Sequence, residues 1–173
     1  FVIMTNEHCY FTNEVLSTGG VIHTIPNPRY GMIKNCLALY RLLKKHPRYN
    51  ALHAHTSYYS GIAIFIAWLA GINKRVAHAR NQATGKQGFT NRLKFRLGRM
   101  LANTFATSRL AISHAAGDFL FGEGKYKVVA NAFDFSGICH KSDDSVAKLK
   151  MAHGINNNLL NLVVVARFYP IKN

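Results

Sequence analysis

Short apolar runs of strand length alternate along the chain with longer segments whose apolar residues recur at helical spacing. The strand-length runs are residues 1–4, 21–25, 51–55, 75–78, 110–113, 127–130 and 160–166. The helical segments are residues 10–17, 32–45, 60–70, 91–104, 114–121 and 142–153. This alternation predicts an α/β fold: a Rossmann-like, doubly wound and mostly parallel sheet with helices on both faces.

Some of the predicted helices also carry signals of their faces and ends. In the second, the apolar residues recur at helical spacing and form one stripe: Ile33, Leu37, Tyr40 and Leu43 or Leu42. The third is almost wholly apolar, so Trp68 is expected in the core. The last is followed by Gly154, which is expected at its C′ position.

The composition is that of a folded domain with an excess of positive charge. Of the 173 residues, 49% are hydrophobic and 17% are charged, which argues against disorder. The formal net charge is +15, from 22 Lys and Arg against 7 Asp and Glu. Such a charge predicts an anionic partner: nucleic acid, an anionic membrane surface or phosphorylated small molecules.

Cysteine spacing and hydropathy argue against a disulfide-stabilised protein and against a membrane-spanning one. Cys9, Cys36 and Cys139 are widely spaced and form no CxxC pair, which argues against a disulfide framework and fits a reducing compartment. The longest apolar stretch, residues 61–72, is shorter than the about 20 residues that span a bilayer. We therefore expect no transmembrane helix.

Several motifs follow one another in the order found in a known family. They are residues 51–55 (Ala-Leu-His-Ala-His), 60–61 (Ser-Gly), 75–81 (Arg-Val-Ala-His-Ala-Arg-Asn), 111–113 (Ala-Ile-Ser), 131–134 (Asn-Ala-Phe-Asp) and 165–172, with Arg167 and Lys172. In these motifs the chain resembles retaining glycosyltransferases of the GT-B fold, family 4. The subgroup that it resembles builds capsular polysaccharide or exopolysaccharide.

The resemblance implies a domain organisation. In that family two Rossmann-like domains face each other across a cleft. Residues 1–141 are expected to form a partial N-terminal, acceptor-side domain that lacks its first strand. Residues 142–173 are expected to form a linking helix and the first strand of a truncated C-terminal, donor-binding domain. The family's first Gly-rich loop and its Glu-containing donor motif are absent, so we expect this piece alone to be inactive.

The resemblance also implies roles for residues where strands end, the edge at which parallel sheets bind ligands. His55 is implied to be catalytic, in the cleft near the transferred sugar. Arg167 and Lys172 are implied to bind the donor diphosphate, whose developing charge fixed cations stabilise. The alternative for His55 is a strand-end histidine that hydrogen-bonds to its neighbours and has no catalytic role. The alternative for Arg167 and Lys172 is a pair of incidental charges in a solvated loop.

His78, Arg80 and Asn81 follow another predicted strand and could contact acceptor phosphate or sugar, or could simply be polar loop residues. His53 and His55 project to the same side of their strand and offer two metal ligands. No third ligand occurs at a diagnostic spacing, and the family needs no metal. We expect no metal and no cofactor, with the nucleotide sugar as substrate.

A basic amphipathic segment lies in the fourth predicted helix. Its apolar residues share one face, and its cations occupy the rest: Phe89, Leu93, Leu97, Met100 and Leu101 against Arg92, Lys94, Arg96 and Arg99. This pattern is typical of helices that bind anionic membrane surfaces, although a solvated helix face is the alternative. It predicts a cytoplasmic protein, peripheral on the inner face of the plasma membrane.

The resulting hypothesis is transfer of a sugar from a nucleotide sugar to a lipid-linked saccharide, with retention at the anomeric carbon. A non-catalytic, basic nucleic-acid-binding module is the main alternative, since net charge alone supports it. The chain has no helix-turn-helix, RNA-recognition or zinc-finger signature. Another parallel-sheet phosphosugar enzyme, such as a GT-B epimerase, is a third possibility.

Overall fold

A computed structural model describes residues 1–4, 10–46, 49–82, 88–132, 143–155 and 159. The chain divides into two compact units, Phe1–Ala130 and Asn131–Asn173. The predicted strand at residues 160–166 lies outside the described residues, as do Arg167 and Lys172.

All strands among the described residues belong to the first unit, and every pairing between them is parallel. They are β1 (Val2–Ile3), β2 (His23–Thr24), β3 (Ala51–Ala54), β4 (Lys74–Ala79), β5 (Ser108–Ala111) and β6 (Lys127–Val128). β1 pairs with β2, and the other four form a sheet in the order β3-β4-β5-β6. The parallel α/β class is therefore confirmed, with the described strands in two sheets where one was predicted.

Each predicted helix is present, and its ends lie within two residues of the predicted ones. The helices are α1 (Thr12–Ser17), α2 (Met32–Lys45), α3 (Tyr59–Leu69), α4 (Phe89–Phe105), α5 (His114–Leu120) and α6 (Asp143–Ala152), with a 3₁₀ turn at Pro28–Tyr30. Among the described residues, no helix has both the length and the apolar character needed to cross a membrane.

The buried face of α2 agrees only in part with the apolar stripe of the sequence. Leu43 of that stripe is buried, but Ile33 is 77% exposed and Leu37 is 47% exposed. The other buried residues of the helix are Asn35 and Leu39. Asn35 can occupy a core position because both polar atoms of its amide have a partner: Nδ2 donates to the Pro26 carbonyl (2.6 Å), and the Tyr59 hydroxyl donates to Oδ1. The apolar stripe therefore identified the buried face only in part.

Helix α3 lies at the centre of the first unit. Ile64 and Ala67 are fully buried, in keeping with the apolar sequence of this helix. Trp68 is 47% exposed and packs at the edge of the core, where its ring lies 4.8 Å from that of Phe105 between centroids. The expectation that Trp68 lies inside the core is therefore wrong.

The C-terminal end of α6, in the second unit, has the predicted glycine. Gly154 has φ +61°, a left-handed conformation that glycine adopts without steric cost. Its N–H donates to the Met151 carbonyl (3.3 Å), and the Ile155 N–H donates to the Lys150 carbonyl (2.9 Å). These two bonds form a Schellman motif and confirm Gly154 at C′.

Candidate functional site

Three histidines converge where β3 and β4 end. The parallel register pairs His53 with Val76, and its continuation by two residues sets His55 beside His78. The ring centroids are 4.0 Å apart for His53 and His55, 5.1 Å for His55 and His78, and 5.4 Å for His53 and His78. We call these three residues the histidine cluster.

His78 is the buried member of the cluster, with 8% of its surface exposed. Neither of its ring nitrogens hydrogen-bonds to any residue that the structure describes. Leaving a buried polar group unpaired costs about 1–3 kcal/mol, so such a group calls for an explanation. A ligand that binds at the cluster would supply the missing partner.

The electrostatic surroundings favour neutral rings. Partial desolvation by neighbouring parts of the chain, the Coulombic effect of His53 and His78, and then that of Arg80 lower the pKa of His55 to about 4, although the side chain is exposed. Partial desolvation and then Arg80 lower the pKa of His53. Burial, then His53 and then Arg80 lower the pKa of His78. At neutral pH each ring therefore offers one N–H donor and one nitrogen lone pair.

The lowered pKa predicts how stability depends on pH. Because the pKa of His55 is about 4 in the folded chain and 6.5 in a model peptide, the unfolded chain binds more protons between those values. The contribution of a neutral His55 to the free energy of unfolding is therefore fully present above pH 6.5, and it is lost as the pH falls towards 4. We expect a lower thermal midpoint at pH 5 than at pH 7 in a buffer containing chelator.

His55→Gln is expected to reduce this difference between pH 5 and pH 7, as followed by circular dichroism during heating. His114→Gln serves as the matched control, since the His114 ring on α5 contacts Tyr126. An identical pH dependence in the wild type and in His55→Gln would contradict the assignment.

The turn that follows His55 is held tightly. The Thr56 N–H donates to Ser60 Oγ (2.8 Å), and the Ser60 N–H donates back to the Thr56 carbonyl (3.2 Å). Between them Ser57 has φ +43°, a left-handed conformation that costs a non-glycine residue on the order of 1 kcal/mol. The strand-to-helix turn thus fixes where His55 emerges, and nothing in the sequence indicates this strain.

The cluster lies beside a cavity of about 590 Å³. The walls are mostly apolar and come from β1, β2, β3 and α2, with Met4, Ile25 and Leu39 among them. His53, His55 and Thr56 provide polar groups along the β3 side. The cavity therefore combines an apolar interior with convergent polar side chains, as ligand sites commonly do.

The structure brings some of the predicted site residues together. Arg80, directly after β4, is close enough to lower the pKa of all three histidines. Asn81 is the next residue along the chain and is exposed. His55, His78 and Arg80 therefore lie close together, and so does His53, which the acceptor-site prediction had left out.

Helix α4 presents its apolar stripe to solvent. Gly98 and Ala102 are its buried residues. On the other side the exposed fractions are 83% for Phe89, 61% for Leu93, 48% for Leu97 and 55% for Met100. We call these four residues and the neighbouring Arg92, Lys94, Arg96 and Arg99 the α4 surface.

The cations of the α4 surface flank this stripe. Arg92, Arg96 and Arg99 follow one another at i, i+4 and i+7 and so lie along one side of the helix. Lys94 lies on the other side of the stripe. Arg99 is half-buried and the other three are exposed. The predicted combination of cations and apolar residues is therefore present at the surface.

No family model matches the chain. Over its whole length the chain is 30% identical to the candidate glycosyltransferase EpsF of Bacillus subtilis strain 168. The chain is similar to a glycosyltransferase. It covers 47% of EpsF, so it spans less than half of that relative.

Solved structures of HepE from Anabaena have the same fold. The complex with UDP-glucose matches 90% of the chain with a TM-score of 0.66 and 18% identity. The complex with UDP matches 88% with a TM-score of 0.66 and 17% identity. Each match covers 42% of HepE. This likeness confirms the predicted fold class, a Rossmann-like half of a GT-B fold.

Proposed function

We propose that the chain is the acceptor-side part of a retaining, family 4 glycosyltransferase. The enzyme transfers a sugar from a nucleotide sugar to a lipid-linked saccharide during synthesis of capsular polysaccharide or exopolysaccharide. The observation that carries this proposal is similarity to EpsF along the whole chain. The histidine cluster supports it, because it stands at the strand ends where such sheets bind ligands.

A nucleotide sugar that contains uridine diphosphate is the best-supported sugar donor. HepE, which shares the fold, has been crystallised with UDP and with UDP-glucose. We propose that Arg167 and Lys172 bind the diphosphate of the donor, Arg167 through its two-pronged guanidinium and Lys172 as a point charge. In this proposal the nucleotide sugar is a substrate, and sugar transfer needs no cofactor.

The described site supports roles on the acceptor side. A neutral His55 can hydrogen-bond a sugar hydroxyl and hold the acceptor in line for transfer. His78 needs a hydrogen-bond partner, and Arg80 beside it adds a positive charge. Together with Asn81 they suit an acceptor that carries both hydroxyls and phosphate. These roles remain part of the proposal.

The domain organisation is proposed in the same way. The lining of the cavity runs from Phe1, Gly20 and Ala51 at the amino ends of β1, β2 and β3 to Met4 and His55 near their carboxyl ends. This cavity lies between β1 and β2 on one side and β3 on the other, where one further parallel strand would join the two sheets into a single sheet. We assign residues 1–141 to the acceptor-side domain and 142–173 to the start of the donor side.

Membrane association is the third part of the proposal. The α4 surface offers apolar side chains to the acyl region and cations to anionic headgroups. Nucleic acid would engage the cations and leave the apolar stripe in water, so this surface favours a membrane over the nucleic-acid-binding alternative. We propose a cytoplasmic protein, peripheral on the inner face of the plasma membrane.

The function is tested by comparing this chain with a longer protein that contains it and spans the full length of EpsF-like relatives. Thermal unfolding is measured with UDP, GDP and ADP and with their sugars. We expect one nucleotide to stabilise the longer protein and none to stabilise the 173-residue chain, which is expected to be inactive by itself because reacting groups from two domains must be aligned.

The proposal fails if no nucleotide sugar is bound or consumed by the longer protein. Oligonucleotide binding that persists at moderate salt would then favour the nucleic-acid-binding module, since binding through charge alone weakens steeply as salt rises.

A further inference from the structure

We propose that His53, His55 and His78 bind one divalent transition-metal ion of the Zn²⁺ class. Each residue offers one imidazole nitrogen, and these three nitrogens all lie within 4.8 Å of one another. Three imidazoles with an open fourth position form a known kind of zinc site. The proposal goes beyond sugar transfer and does not rest on it.

The three imidazole nitrogens need to move only modestly to form a tetrahedral metal site. Zinc–nitrogen bonds of about 2.0–2.1 Å place the ligand nitrogens of a tetrahedral site roughly 3.4 Å apart. His53 and His55 are exposed, so their rings can turn about the side-chain torsions to close the remaining distance. His78 is buried within β4 and provides the fixed ligand.

The unpaired ring of His78 is a second, independent observation. The residue is 92% buried by area, and neither ring nitrogen hydrogen-bonds to any part of the chain that the structure describes. A metal ion would engage the lone pair of one nitrogen and so remove part of the cost of burying it. Neither neighbouring histidine can do this without reorienting towards it.

The donor set determines which ions suit the site. The cluster contains three nitrogens and no carboxylate, and imidazole favours zinc, copper and nickel over magnesium or calcium. The positive charge of Arg80, which acts on all three rings, further disfavours ions held only by electrostatic attraction. It also favours an anionic oxygen, or water, in the fourth position.

The test is calorimetric titration of Zn²⁺ into the chain after chelator treatment and desalting, in a phosphine reductant. We expect one equivalent to bind, and His53→Gln and His78→Gln each to weaken binding at least 100-fold. His114→Gln is the matched control and should bind as the wild type does. Bound Co²⁺ should show the visible spectrum of a nitrogen-ligated ion, without the charge-transfer band that a cysteine thiolate gives.

His23→Gln examines a second close histidine pair among the described residues, since the ring centroids of His23 and His46 are 5.0 Å apart. Loss of binding in His23→Gln alone would overturn the proposal, as would no saturable binding or unchanged affinity in His53→Gln. If His78→Gln does not fold, as judged by circular dichroism, His53→Gln decides the outcome by itself because His53 is exposed.

Discussion

Gly98→Ala is expected to destabilise the chain by about 3 kcal/mol, the upper end of the usual cost of overpacking. The backbones of α3 and α4 come close together at Gly61 and Gly98. A Cβ atom at Gly98 would lie 2.1 Å from the Tyr58 carbonyl oxygen, and one at Gly61 would lie 1.8 Å from the Gly98 carbonyl oxygen. Both obstacles are backbone atoms that no rotamer change can move, so the helices themselves must separate.

Urea unfolding followed by circular dichroism measures this effect as a lower midpoint at an unchanged slope. Gly61→Ala is expected to behave in the same way. Gly88→Ala is the matched control, because Gly88 precedes the same helix and a Cβ there meets nothing within 4 Å. A loss of less than about 0.5 kcal/mol in Gly98→Ala, the range of ordinary surface changes, would show that the helices are not packed this closely.

The second large effect is expected at the α4 surface. Replacing its four cations should weaken binding to vesicles rich in anionic lipid by on the order of 100- to 1,000-fold, since each contributes about 1 kcal/mol near a charged membrane. Arg99 is half-buried and should contribute least. The variant combines Arg92→Gln, Lys94→Gln, Arg96→Gln and Arg99→Gln.

Sedimentation with vesicles at two salt concentrations measures this affinity, because the electrostatic part weakens with added salt. A control with the same change in net charge replaces four exposed lysines on other elements: Lys34, Lys44, Lys74 and Lys127. Equal losses in the two variants would mean that total charge, not this surface, drives binding. Leu93→Ser with Leu97→Ser should weaken binding that remains at high salt, and no effect there would exclude insertion of the stripe.

The sequence predicted the elements well because their signals are local. The range of α2 was predicted at residues 32–45 and is Met32–Lys45. Gly154 was predicted at the C′ position of α6 from its place after the last periodic residue, and its hydrogen bonds agree. In both cases a short stretch of chain contains the information that fixes the structure.

The faces of the helices were harder to predict, since the same local pattern fits more than one neighbour. In α2 two residues of the apolar stripe, Ile33 and Leu37, are exposed, and Asn35 is buried because Pro26 and Tyr59 hydrogen-bond to its amide. In α4 the packed residues are Gly98 and Ala102, which are too small to register as an apolar stripe. Small residues occur at these positions because another helix comes close. The sequence of α4 alone does not indicate this contact.

The sequence by itself determined the parallel α/β class, the helix bounds, the excess of basic charge and the strand ends at which to look for a site. The tertiary structure decided which residues meet. His78 joins His53 and His55 because strand register, which depends on pairing between distant segments, sets His55 beside it. Gly61 and Gly98 likewise meet only in the folded chain. Helical or strand periodicity depends on consecutive residues, whereas a contact between two elements depends on how those elements pack.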